Sequence, residues 1–147
     1  ANAVRPGKTP LASMSPTIVL KDGEPVLAVG SAGGPRIITS TLQLIINTLD
    51  YGMMMDSAVK TPHMCCLTRD QGLELEEGFS PDTVELLEAR GHKIAGTTDF
   101  GVLLVMPNGI MKKDGQFFPG GTSRVDGGGG VLTKAGTAAI DGICFKF

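Results

Sequence analysis

The chain has 147 residues and a formal net charge of −2, with 41% hydrophobic and 19% charged residues. That length suits one domain with a core of its own, and the composition excludes an intrinsically disordered chain. No basic run marks a nucleic-acid surface, no stretch reaches the ~18–20 apolar residues of a membrane helix, and Cys65, Cys66 and Cys144 give neither a metal spacing nor a disulfide framework.

Residues 1–10 hold Pro6, Gly7 and Pro10 without periodicity and read as a loop. Ala1 stands where an initiator methionine is absent, which is read as a processed or cut start. The segment Leu11 to Pro16 is small and rich in hydroxyls, and Thr17 to Leu20 reads as a short buried strand. Asp22-Gly23 is a tight hairpin signal, so Pro25 to Gly30 is expected to return beside that strand. This pairing brings the Ser13 loop and the Gly33 loop to the same end of one hairpin.

The strand runs into Gly30-Ser31-Ala32-Gly33-Gly34-Pro35-Arg36, and a helix is expected over residues 37–49. A strand, glycine turn and helix place several backbone N–H groups where negative charge can sit; a plain tight turn is the alternative. A phosphate cradle is a weaker one, because the G-K-[ST] ending is missing. Ile38, Leu42, Ile45, Ile46 and Leu49 recur at helical spacing and are expected to form the buried face. Gly52 is a stop, Met53 to Met55 read as an apolar connector filling gaps, and residues 56–60 form a short helix ended by Pro62.

His63 and Cys66 lie close together but lack the further ligands of a metal or catalytic set. Residues 72–77 alternate apolar and acidic positions, so Glu74 and Glu76 are expected on a solvent face. Ser80-Pro81-Asp82 opens a helix that should bury Leu86, Leu87 and Ala89 and close at Arg90-Gly91. A short strand over 92–95, an apolar strand over 101–106, a turn at Pro107-Asn108-Gly109 and a return strand within 110–118 follow. Residues 119–130 read as a glycine-rich loop. Residues 131–147 have no strong pattern, with 142–147 either a last strand or a tail.

Several of these segments together resemble the γ-glutamyltranspeptidases. Pro10 to Val19 resembles their P-L-S-S-M-S-P-T-I segment, and Gly30 to Thr39 their G-S-P-G-G-x-x-I-I-T loop. Asp50 to Met53, Gly78 to Thr83 and Leu86 to Lys93 are similar as well. The likeness spans residues 1–130, taken as the C-terminal portion of a small subunit, and leaves 131–147 as an unassigned tail.

The resemblance implies an α+β fold, part of an αββα N-terminal-nucleophile hydrolase sandwich. It implies a precursor that cuts itself, after which a new N-terminal threonine attacks a γ-glutamyl amide and forms an ester. By the same resemblance Gly33 and Gly34 form the oxyanion hole. Ser13, with Ala12 and Met14 around it, lies at the site for the glutamyl carboxylate. Ala12 replaces the first serine of the family pair, Pro62-His63 stands for its Pro-Arg, and Thr122-Ser123-Arg124 for its Asp-Pro-Arg.

Nothing in the chain matches the nucleophile segment. Thr97-Thr98 falls in the wrong place, and Ala1 has an amine but no hydroxyl. The expected partners are therefore a large subunit and a nucleophile-bearing segment of the same precursor, together with a small γ-glutamyl substrate. No cofactor, metal, nucleic acid or membrane span is expected, and the family implies a periplasmic or extracellular place. A glutaryl (cephalosporin) acylase, a polyglutamate hydrolase and a non-catalytic binding homologue are the alternatives.

Overall fold

Asp22 and Gly23 both take positive φ, 53° and 82°, and make the tight turn that their sequence favours. The computed structural model describes residues 3–68, 70–100, 105–125, 128–133 and 136–140. The turn joins β1 (Thr17–Lys21) to β2 (Glu24–Ala32) in antiparallel register. β1 is an edge strand and not the buried strand expected. Val19 packs toward the core, but Ile18 and Leu20 alternate to the other face and are exposed.

β2 pairs next with β6 (Met106–Lys113), and β6 with β7 (Gln116–Gly120), giving an antiparallel sheet of order β1-β2-β6-β7. The turn expected at Pro107-Asn108-Gly109 is instead part of β6, and the hairpin turns at Asp114-Gly115, with φ of 50° and 75°. Gly109 answers a packing need. A Cβ there would stand 2.7 Å from Val29 Cγ1 and 2.8 Å from Met55 Sδ. Residues 101–104 of the expected apolar strand lie outside the described residues.

Two helices cover one face of this sheet. α1 spans Ile37–Leu49, as its sequence predicts, and α2 spans Met55–Lys60. Leu27, Val29, Leu44, Met55, Ala58 and Val59 form the core between them. Met55 is fully buried, which bears out the gap-filling reading of the methionine run.

The buried face of α1 is not the one expected. Ile37, Ser40, Thr41, Leu44 and Thr48 face inward, while Ile38, Leu42 and Leu49 are exposed. The Thr48 hydroxyl fits the inner face because a helical threonine can bond its own turn, and Thr41 Oγ1 accepts from Ser15, whereas Ser40 Oγ is buried without a partner among the described residues. Thr48 Oγ1 donates to the Leu44 carbonyl at 2.7 Å.

A second sheet has the order β3-β4-β5, from Met64–Cys65, Leu73–Glu76 and Ile94–Thr98. β4 and β5 run parallel and are bridged by α3 (Pro81–Ala89). Ser80 caps α3 as expected, its Oγ accepting from the Thr83 N–H at 3.3 Å. α3 buries none of its residues, however, and Leu86 is exposed, contrary to expectation. β8 (Gly129–Thr133) and β9 (Gly136–Ile140) form a last hairpin where no strand pattern was legible. Residues 141–147 lie outside the described residues. The mixed α+β class is as expected.

Candidate active site

β2 delivers the chain to the glycine turn, and α1 begins directly after it. Gly33 has φ 141° and ψ 23°, and Gly34 has φ 60°. The Gly33 value is closed to residues with a Cβ, so glycine is required there. Residues Gly34–Arg36 form one 3-10 turn, closed by the Arg36 N–H on the Gly33 carbonyl at 3.3 Å and the Ile37 N–H on the Gly34 carbonyl. Among the described residues, the backbone bonds outside helices and ladders include none donated by Gly33 or Gly34. A Cβ at Gly34 would meet open space. The turn thus holds two backbone N–H groups that donate to no described backbone acceptor outside helices and ladders, and successive free N–H groups of this kind favour a localised negative charge.

The Ser13 loop meets this turn directly. Ser13 Oγ donates to the Gly34 carbonyl at 2.8 Å, and Ser15 Oγ donates to Thr41 Oγ1 on α1 at 3.4 Å. The two loops expected at one end of the hairpin therefore touch. Ala12 and Met14 flank Ser13 and are exposed. A hydroxyl has one proton to give, and here Ser13 gives it to the turn.

Arg36, the last residue of the turn, forms a two-pronged ion pair with Glu74 on β4. Nε donates to Oε2 at 2.7 Å and Nη2 to Oε1 at 2.8 Å. The hydrogen bond from Arg36 holds the Glu74 carboxyl below its ordinary range, and the same bond raises the guanidinium. This corrects the expectation of a solvent face for Glu74 and Glu76. Glu74 is paired, and Glu76 is fully buried.

Glu76 is buried because Arg124 meets it. Arg124 Nε donates to Glu76 Oε1 at 2.6 Å, and Nη2 donates to Oε2. The same guanidinium reaches the carbonyls of Val59 (2.7 Å) and Thr61 (2.9 Å) and lies over the Phe100 ring. The His63 N–H donates to Glu76 Oε2 at 2.7 Å. Burial pushes the His63 imidazole down to about 4, and the neighbouring Arg124 charge acts in the same direction against the weaker pull of the Thr61 carbonyl and Glu76. His63 is therefore neutral and structural. Sequence reading singled out neither Arg36–Glu74 nor Arg124–Glu76, since their partners lie 38 and 48 residues apart.

Two other pairings are not realised. His63 is buried while Cys66 is exposed, its thiol directed to the Thr68 carbonyl at 3.4 Å. Among the described residues no three His, Cys, Asp or Glu side chains converge as a metal site. Thr97 and Thr98 lie within β5, inside the chain, with no free α-amine.

A family model described as Gamma-glutamyltranspeptidase matches residues 1–129. A glutathione hydrolase proenzyme of Escherichia coli K12 is 53% identical over 95 residues, which cover 65% of this chain and 16% of that relative. A mutant γ-glutamyltranspeptidase of Helicobacter pylori superposes with a TM-score of 0.74 at 37% identity, over 84% of this chain and 67% of that one. A cephalosporin acylase of Bacillus halodurans superposes with a TM-score of 0.75 at 26% identity, over 96% of this chain and 25% of that one. The chain thus spans only about a sixth of the curated relative it matches.

Proposed function

The chain belongs to the γ-glutamyltranspeptidase family, and from that premise we propose that it supplies the oxyanion hole and part of the acyl-group cup of a γ-glutamyl transferase or hydrolase. Its substrates are glutathione-type γ-glutamyl amides. The nucleophile is a threonine outside this chain, on a segment of the same precursor. The observation that carries the reading is the glycine turn: among the described residues Gly33 and Gly34 donate no backbone bond outside helices and ladders, and a Cβ at Gly34 would meet open space.

In the reaction the threonine hydroxyl attacks the γ-carbonyl carbon, and its proton passes to the α-amine of the same residue. Charge collects on the former carbonyl oxygen, where the N–H groups of Gly33 and Gly34 hold it. Such a donor is worth ~2.7–4 kcal/mol in the transition state when it is already oriented. The C–N bond then breaks, the leaving amine takes the proton, and a γ-glutamyl ester remains. Water or an amino acid removes the acyl group.

The partners are the large subunit and the nucleophile-bearing segment, and the assembled protein works in the periplasm or outside the cell. No helix among the described residues is long and apolar enough to cross a membrane.

A second reading changes only the acyl group. Ala12 removes one hydroxyl from the carboxylate-binding segment, and Ser13 already donates to Gly34. Both observations weaken the hold on the acyl carboxylate, which a glutaryl group shares while lacking only the α-amine, so the support for a glutaryl acylase is the superposition with the cephalosporin acylase.

The test assembles the chain with its nucleophile-bearing segment and compares a γ-glutamyl anilide with the glutaryl anilide. Faster release from the γ-glutamyl compound is expected, and the 147-residue chain alone should release nothing. Preference for the glutaryl compound selects the second reading. Turnover of neither overturns both and leaves a non-catalytic binding homologue.

A further inference from the structure

The glycine turn has an unusual problem: its donors must be fixed, yet its two glycines are the least constrained residues available. We propose that the Arg36–Glu74 ion pair is the device that fixes it, so that both side chains are positioning residues for the oxyanion hole. The proposal rests on the functional reading above and adds to it two residues that act through the turn.

Arg36 is placed for this role by its backbone. Its N–H closes the turn on the Gly33 carbonyl at 3.3 Å, and its carbonyl accepts from Thr39 Oγ1 at 3.0 Å in the first turn of α1. Its guanidinium then grips Glu74 through two bonds, of 2.7 and 2.8 Å. A two-pronged pair fixes direction as well as distance, because the planar guanidinium and the carboxylate must lie nearly in one plane. Glu74 is on β4, held on both sides by β3 and β5, so the turn is referred to a rigid sheet rather than to another loop.

The rest of α1 does not depend on this pair. Gln43 holds the Met64 backbone independently, donating to its carbonyl at 2.8 Å and accepting its N–H at 3.0 Å, and Leu44 is fully buried in the core. Loss of the ion pair should therefore loosen the turn and leave the helix docked.

The test uses Glu74→Gln, and the exchange Arg36→Glu with Glu74→Arg, in the enzyme assembled with its nucleophile-bearing segment. For Glu74→Gln, kcat for the γ-glutamyl anilide should fall about ten- to hundredfold, as for a small misplacement of a catalytic group, while KM hardly changes. Hydrogen exchange at the Arg36 and Ile37 amides should quicken, because these two N–H groups close the turn. The exchanged pair should recover a large part of both. Unchanged kcat and unchanged exchange in Glu74→Gln overturn the proposal, as does a loss confined to KM. If the unaltered enzyme shows no turnover, the functional reading fails, and exchange alone decides the clamp: faster exchange supports it and unchanged exchange overturns it.

Discussion

The Ser13 hydroxyl donates to the Gly34 carbonyl across 2.8 Å, joining two loops 21 residues apart at one end of the β1–β2 hairpin. The bond couples the segment expected to recognise the acyl group to the segment expected to hold its oxyanion. It also commits the one proton that the Ser13 hydroxyl can donate.

From this follows a prediction for Ala12, the position where the family pair has lost a hydroxyl. Ala12→Ser supplies a second donor free to meet a carboxylate. A hydrogen bond to a charged group is worth about 1.5–3 kcal/mol, so KM for a γ-glutamyl donor should fall by at least about tenfold with little change in kcat. Steady-state kinetics on the two forms measure it. A KM that stays put would show that this segment does not touch the carboxylate.

Arg124 is the second point of leverage. It closes on Glu76 and on two main-chain carbonyls, in surroundings where both side chains are buried. Arg124→Met leaves the Glu76 carboxylate buried without its partner, and breaking such a pair costs about 3–5 kcal/mol. Arg124→Lys should also destabilise, because one ammonium cannot cover the fan of acceptors. The pair Arg124→Met with Glu76→Gln should be less destabilised than Arg124→Met alone. Urea denaturation of the three variants checks the order.

His63 gives the protein an acid-side stability slope. Its imidazole is neutral in the native state, with a pKa of about 4 against 6.5 when free. Between those values the unfolded chain binds more protons than the native one, so stability rises with pH there. The contribution is fully present above pH 6.5, falls as pH drops below it, and is lost by about pH 4. Its size is on the order of 3 kcal/mol. Denaturation midpoints between pH 4 and 7 should rise steeply for the native sequence and less steeply for His63→Gln. Equal slopes would contradict the assignment.

The two leucines of α1 test which face is buried. Leu44 is fully buried and Leu42 is about half exposed. Leu44→Ala should cost about 2–5 kcal/mol, and Leu42→Ala no more than about 0.5 kcal/mol in this chain. Chemical denaturation distinguishes them.

That contrast also shows what the sequence could and could not reveal. The ends of α1 were legible because the glycine turn and Asp50-Tyr51-Gly52 bracket it. Its inner face was not, since isoleucine and leucine occupy both sides and the buried Ser40, Thr41 and Thr48 read as polar. The Asp22-Gly23 turn was legible because Asp-Gly favours positive φ at both central positions, whereas the second hairpin was expected to turn at Pro107-Asn108-Gly109 and turns at Asp114-Gly115. Gly109 misled because the same dipeptide chemistry marks turns, whereas here it admits Met55 against the sheet.

At the site, the meeting of the Ser13 and Gly33 loops followed from hairpin register alone. Glu74 and Glu76 did not follow, because alternation assigns a carboxylate to solvent unless its cation is known. Both cations come from distant parts of the chain.

The central claim is that Gly33 and Gly34 stabilise the oxyanion. Gly34→Ala is the most direct test, because φ of 60° is open to alanine at a cost of about 1–2 kcal/mol, and the added methyl meets no described atom, so the chain still folds. In the assembled enzyme, kcat for a γ-glutamyl anilide should drop by about a hundredfold with KM nearly unchanged, as a methyl intrudes where the acyl oxygen must sit. A folded Gly34→Ala enzyme that keeps its full kcat would contradict the account.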